Sequence, residues 1–252
     1  MRNPIILPTF AFLFALALTI HPANGEPTGP SRTVSFARGK WDASKWKSIR
    51  MVNQKEARVF NQNDESLGVT KESFRKGDYN RERDNAILVN DTGLEEGEIA
   101  ITFRMGDGFN KNSTPGLLVS PVIADGVMKR GIGVFVSTYG MVVWLMEHDE
   151  KEERVTYKHL GQLTRWTDIE GKHVLRFRFS KKQKILAFKI DDSGILVFRF
   201  IGNPRLSKTD LNINGIAGIW GCHGVCDFYE MKIERGGSLP FFIRTKPDKG
   251  QE

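Results

Sequence analysis

Few of the usual signatures of function are present in this sequence. It has two cysteines among 252 residues, which limits covalent cross-linking to a single disulfide. No Gly-x-Ser-x-Gly elbow anchors a Ser-His-Asp constellation, no glycine-rich phosphate loop occurs, and no RNA- or DNA-binding fingerprint accompanies the positive charge. Helical periodicity is almost wanting: only Leu206–Leu211 has the pattern of one helical turn. No residue-level repeat is evident. Past Ile20 there is no apolar run approaching the ~20 residues that a bilayer span requires.

The formal net charge of +7 is basic, but 27% of residues are charged and both signs are interspersed. Such a bias favours a polyanionic partner, for example an acidic or sulfated glycan, without selecting one. At the N-terminus Arg2 precedes an almost unbroken apolar stretch from Ile5 to Ile20, and small residues Ala23 and Gly25 stand three and one before Glu26. Residues 1–25 are therefore expected to be a secretory signal peptide, which predicts an extracytoplasmic protein with no stable membrane span after cleavage and makes nucleic acid an unfavoured partner. Residues 26–32 (Glu-Pro-Thr-Gly-Pro-Ser-Arg) are expected to be a flexible lead, residues 33–240 one domain, and residues 241–252 a tail.

What the domain has in quantity is strand signal. In Gly97–Met105, Ile99, Ile101 and Phe103 alternate with Glu98, Ala100, Thr102 and Arg104, and His173–Phe179 alternates as strictly. Further strands are expected at Thr33–Phe36, Trp46–Val52, Ala57–Asn61, Ala86–Val89, Gly116–Val122, Gly131–Ser137, Met141–Glu147, Arg154–His159, Lys184–Ile190 and Ile195–Ile201. Residues 63–85 are polar and charged and read as a long loop. Gly215–Glu234 reads as a closing hairpin whose turn carries Cys222 and Cys226 face to face, a geometry suited to a disulfide. Trp220 and Phe228 flank that turn as expected core anchors. A transition-metal site from Cys222, His223 and Cys226 is disfavoured, because three ligands within five residues make a poor tetrahedral set. Alternating strands with one apolar face must bury it against a second sheet, so the fold class is all-β, an antiparallel two-sheet sandwich.

The order of elements is informative: Gly97-Glu98 opening an alternating strand, Gly-Ile-Gly-Val-Phe-Val at 131–136, His-Val-Leu-Arg-Phe-Arg-Phe at 173–179, Phe-Lys-Ile-Asp-Asp-Ser-Gly at 188–194, Gly-Ile-Ala-Gly-Ile-Trp-Gly at 215–221 and Asp-Phe-Tyr-Glu-Met-Lys-Ile at 227–233. This order resembles the concanavalin A-like lectin/glucanase superfamily, in particular the laminin-G-like and keto-glycoside hydrolase-type domains of secreted bacterial proteins. The resemblance spans roughly residues 33–234 and implies a jelly roll with carbohydrate as the partner, held on a concave sheet face or at the loop rim. Its motifs hold a fold and do not specify an activity.

Three groups of residues offer chemistry. Glu147, Asp149 and Glu152 match the Glu-x-Asp-x-x-Glu pattern of laminarinase-type retaining glycosidases, which need two carboxyls roughly 5–5.5 Å apart. The intervening His148, Glu150 and Lys151 are polar, however, as in a solvated turn. Asp191 and Asp192, with Asp107 and Asn110 elsewhere, offer oxygen ligands that make calcium a candidate cation, although turn chemistry explains the same residues. Arg176 and Arg178 must face away from Leu175, Phe177 and Phe179. With Lys181, Lys182, Lys184 and Lys189 they form a candidate surface for an anionic polysaccharide, and Trp144 and Trp166 are candidates for stacking on sugar rings. The alternative for that surface is a solvated face. Asn90 and Asn112 stand in Asn-x-Thr sequons. The expected function is a secreted, non-catalytic carbohydrate-binding module, with a glycoside hydrolase and a structural or protein-interaction domain as alternatives.

Overall fold

A computed structural model describes residues 31–69, 85–108, 114–164, 170–180, 185–199, 214–222 and 224–236. The expected leader and tail, the Leu206–Leu211 turn, Asn110, Asn112, Trp166, Lys181, Lys182, Lys184 and His223 lie outside these residues. The described strands are β1 (Arg32–Ser35), β2 (Trp46–Ile49), β3 (Asn61–Gln62), β4 (Leu67–Val69), β5 (Asn85–Asp91), β6 (Glu96–Gly108), β7 (Thr114–Ala124), β8 (Val127–Ser137), β9 (Gly140–Asp149), β10 (Arg154–Thr164), β11 (Lys172–Ser180), β12 (Ile185–Ile190), β13 (Ile195–Arg199), β14 (Ile216–Cys222) and β15 (Gly224–Arg235). No helix among the described residues is long and apolar enough to cross a membrane.

The strands form two antiparallel sheets. Sheet A runs β13-β12-β11-β6-β15-β4-β3, with β1 also paired to β15, and sheet B runs β10-β9-β8-β7-β14-β5-β2. Alternation places Ile99, Ile101 and Phe103 of β6 and Leu175, Phe177 and Phe179 of β11 against Leu117, Val134, Val143 and Leu145 of sheet B, in one inter-sheet core. Phe177 stacks on Phe179 and Phe188, with ring centroids 5.2 and 4.9 Å away. Each such ring contributes about 1.5–3 kcal/mol by leaving water.

Sheet B is apolar on its outer face as well. Leu118, Phe135, Met146 and Trp220 form a second buried cluster with Ile49 and Met51. Phe135 meets Trp220 edge-to-face at 4.8 Å, and the Trp220 Nε1–H donates to Asn85 Oδ1 at 2.8 Å. Gly116 lies between the two in register. A Cβ there would come 2.5 Å from the Val134 carbonyl oxygen and 2.9 Å from the Phe135 ring, so only glycine lets the large side chains lie across the sheet.

Two expectations fail in the early chain. The strand expected at Ala57–Asn61 contracts to Asn61–Gln62, and Leu67–Val69 forms a strand inside the expected polar loop. A three-residue strand is too short to display a period, yet Leu67 and Val69 are both buried in the core. Asn90, in the first sequon, is buried within β5.

The closing segment is not a hairpin. β14 pairs with β5 and β7 in sheet B, while β15 pairs with β6 and β4 in sheet A. The chain crosses from one sheet to the other at this point, and Cys222 and Cys226 are free rather than bridged. Cys222 faces the outer cluster and Cys226 the inter-sheet core, so the cross-strand opposition that would join them is missing. Trp220 accordingly anchors the outer cluster, whereas Phe228 lies between the sheets. Burial pushes the Cys222 thiol up to about 12 and raises that of Cys226 well above its ordinary value. Both thiols are expected to resist a thiol reagent in the native protein and both to react in guanidinium without reductant. Failure to titrate any thiol after unfolding would show that they are joined.

Candidate functional site

Strand parity decides the fate of the acidic motif. On β9, Val143 and Leu145 point into the inter-sheet core. Glu147, two residues on, therefore lies on the inner side, at the strand's end, whereas Trp144, Met146 and His148 face out. Glu147 pairs with Lys158 and with Arg130 Nε at 3.5 Å. Asp149 Oδ1 accepts from the backbone N–H groups of Lys151 and Glu152 at 3.0 and 3.3 Å, which folds it into the turn. Glu152 pairs with Arg154 at 2.5 Å. The three carboxylates are thus separately engaged, and strands β7, β8, β9 and β14 put no carboxylate on the outer face of sheet B.

Arg176 and Arg178 do face outward, on sheet A, but they serve a carboxylate already there. Glu98, 7% exposed, accepts from Arg176 Nη1 at 3.0 Å and from Arg178 Nε at 3.0 Å. Lys232 pairs with Glu234 on the same face, and Lys189 with Asp192 at 3.4 Å. Among the described residues of this face, Arg176, Arg178, Lys189 and Lys232 are each matched to a carboxylate.

Asp191 is likewise committed. Its Oδ1 accepts from the Val174 N–H at 2.7 Å and its Oδ2 lies 2.9 Å from His173 Nδ1. Its φ of 44° closes the β12–β13 turn. Asp192 is exposed and pairs with Lys189. Among the described residues no group of three or more His, Cys, Asp or Glu side chains is arranged to hold a metal ion.

Trp144 is the sequence-predicted residue that the fold places in promising company. Its partner across the β9–β10 ladder is His159 and, across β8–β9, Gly133. The indole lies 4.9 Å from the His159 ring and 6.3 Å, edge-to-face, from Tyr157. Trp144 is partly exposed and Tyr157 is 43% exposed. At the end of this aromatic strip His148 Nδ1 accepts from Lys129 Nζ at 3.2 Å. An ammonium has no lone pair, so the imidazole proton resides on Nε2. The strip therefore combines aromatic faces, a phenol and an ammonium, the last also paired with Glu150 at 4.0 Å, within one partly exposed patch. Tyr157 and His159 of β10 and Lys129 of β8 escaped sequence reasoning because they reach Trp144 only through the pairing of β9 with its two neighbours; the only signal was the alternation of β9 and β10.

The sequence matches no protein-family model and no curated protein. Solved structures nonetheless share its architecture. The carbohydrate binding module CBM66 from Bacillus subtilis is similar with a TM-score of 0.50 and 11% identity, over 75% of this chain and 96% of that one. The laminarinase from Rhodothermus marinus is similar with a TM-score of 0.52 and 14% identity, over 82% and 97%. SCLam, a non-specific endo-beta-1,3(4)-glucanase from family GH16, gives 0.50 and 10%, over 83% and 94%. The chain has the concanavalin A-like jelly-roll fold that its strand order resembles. At these identities the likeness concerns the fold.

Glu98→Ala leaves two arginines without their shared acceptor and is expected to cost about 3 kcal/mol, whereas Arg176→Ala, at a position with a 41% exposed side chain, is expected to cost under about 1 kcal/mol. Urea unfolding of the two variants checks the order.

Proposed function

We propose that this protein is a secreted, non-catalytic carbohydrate-binding module and that it holds its glycan on the outer face of sheet B around Trp144. The observation that carries this reading is the partly exposed strip of Trp144, Tyr157 and His159 with Lys129 at its end. Sugar rings present C–H faces that pack on aromatic surfaces, while their hydroxyls need donors and acceptors at the edge, and the strip offers both. Support for binding over hydrolysis comes from the central strands of sheet B, whose outer face carries no carboxylate, since a retaining or inverting glycosidase needs a pair. The similar structures include a carbohydrate binding module, a laminarinase and a glucanase, which supports a glycan as partner. An extracytoplasmic location follows from the expected leader.

A glycan array probed with the full chain identifies ligands, and a product assay on each hit separates binding from cleavage. Trp144→Ala is expected to weaken binding of any hit by about tenfold or more, the equivalent of about 1.4 kcal/mol. Glu147→Gln is expected to leave binding unchanged. Undiminished binding by Trp144→Ala would overturn the assignment of the face, and release of a shortened glycan that stops in Glu147→Gln would overturn the non-catalytic reading.

A further inference from the structure

We infer that the opposite sheet carries a second glycan-contact site, centred on Tyr229 and Arg104 of sheet A. It takes its ligand class from the reading above and adds a face to it.

β15 carries a register break beside Phe228. β15 pairs Phe228 with Phe103 and then Glu230 with Thr102, leaving Tyr229 as an extra residue. Phe228 and Met231 both remain in the inter-sheet core, three positions apart rather than the two that alternation requires. Alternation from Phe228 puts Tyr229 outward and the bulge keeps Glu230 on the same outer side; there Lys172 Nζ lies 3.8 Å from the Tyr229 ring centroid. Lys172 is itself the β11 partner of Arg104. Bulges of this kind re-aim single side chains and are concentrated beside functional sites.

Arg104 is pre-positioned there. Asp227, 8% exposed, accepts on Oδ2 from Arg104 Nη2 at 2.7 Å and on Oδ1 from Asn63 Nδ2 and the Ser66 hydroxyl, both at 3.3 Å. Gly68 lies beneath, and a Cβ at that position would stand 2.9 Å from both Asn63 Nδ2 and Asp227 Oδ1. One edge of the guanidinium is thus pinned to a carboxylate that is itself fixed over a glycine, while the Arg104 side chain stays 54% exposed. Its remaining N–H groups point donors at solvent in a set direction, and directed donors beside an aromatic ring are what a pyranose hydroxyl edge and C–H face require.

The charge balance selects the class of ligand. Arg104 and Lys172 are offset by Asp227 and by Glu65, whose charge acts on both Arg104 and Tyr229. Glu230, beside Tyr229, accepts from the Thr102 hydroxyl at 3.2 Å and adds a third carboxylate, so among the described residues this patch of mixed sign has no positive surplus to attract a polyanion, and it offers donors and acceptors to a neutral polyol. Lys172 occupies the ring face only as a flexible, exposed side chain, so it can yield to a sugar and donate to a hydroxyl.

Isothermal titration of the full chain with laminarihexaose, a soluble neutral glucan fragment, tests the site. Two binding events per chain are expected in the wild type, with the second lost or weakened about tenfold in Tyr229→Ala and the first retained. Trp144→Ala is expected to show the converse. Lys172→Ala, an exposed change that leaves the bulge intact, is expected to alter the second event alone and serves if Tyr229→Ala does not fold. A single event that disappears in Trp144→Ala and is indifferent to Tyr229→Ala and Lys172→Ala overturns the second site while leaving the Trp144 face standing. A single event that disappears only in Tyr229→Ala keeps this site and removes the Trp144 face. No event in any protein overturns the neutral-glucan assignment of the Tyr229 face and leaves the Trp144 face to the array.

Discussion

The aromatic layer between the sheets, where Phe177 stacks on Phe179 and Phe188 and Phe228 meets Phe60, sets the parity of every strand that crosses it. A strand has two faces and a period of two, so once its large apolar residues are committed to that layer, the direction of every neighbour follows. Sliding one strand by a residue would expose its phenylalanines and bury its charges. Parity is therefore costly to violate, and the outer surfaces are built from what it leaves over.

Those leftovers explain the electrostatics. The basic residues of sheet A emerge on the same side as acidic ones from adjacent strands, and the resulting pairs are Arg176 and Arg178 on Glu98, Lys232 on Glu234 and Arg104 on Asp227. The buried carboxylates matter most, since Glu98 and Asp227 each need a cation to offset desolvation. A surplus of positive charge over the whole chain thus coexists with a locally balanced sheet face. Sheet B is different: its outer face is apolar and glycine-floored, and polar chemistry gathers at its β8–β10 end around Trp144.

Where the chain departs from simple alternation, it does so at points that change its surface. The bulge at Tyr229 lets Phe228 and Met231 both stay in the core. The passage from β14 to β15 moves the chain between sheets, which sends Cys222 and Cys226 to different clusters and gives Trp220 a place outside the inter-sheet layer. In each case local sequence looked regular, and the irregularity served packing at a distance.

The alternation of Ile99, Ile101 and Phe103, and of Leu175, Phe177 and Phe179, was enough by itself to establish an all-β sandwich, the inward faces of β6 and β11 and the outward direction of Arg176 and Arg178. Strand identity and facing are local properties, carried by residues two apart. The partners were not legible. That Glu147 faces inward beside Arg130 and Lys158, that Glu98 holds both arginines, that β14 and β15 separate, and that Tyr157 and His159 join Trp144 all depend on which strands pair and in what register. Those pairings join residues far apart in the chain through backbone hydrogen bonds that any residue can make, so only the packed tertiary structure decides among them.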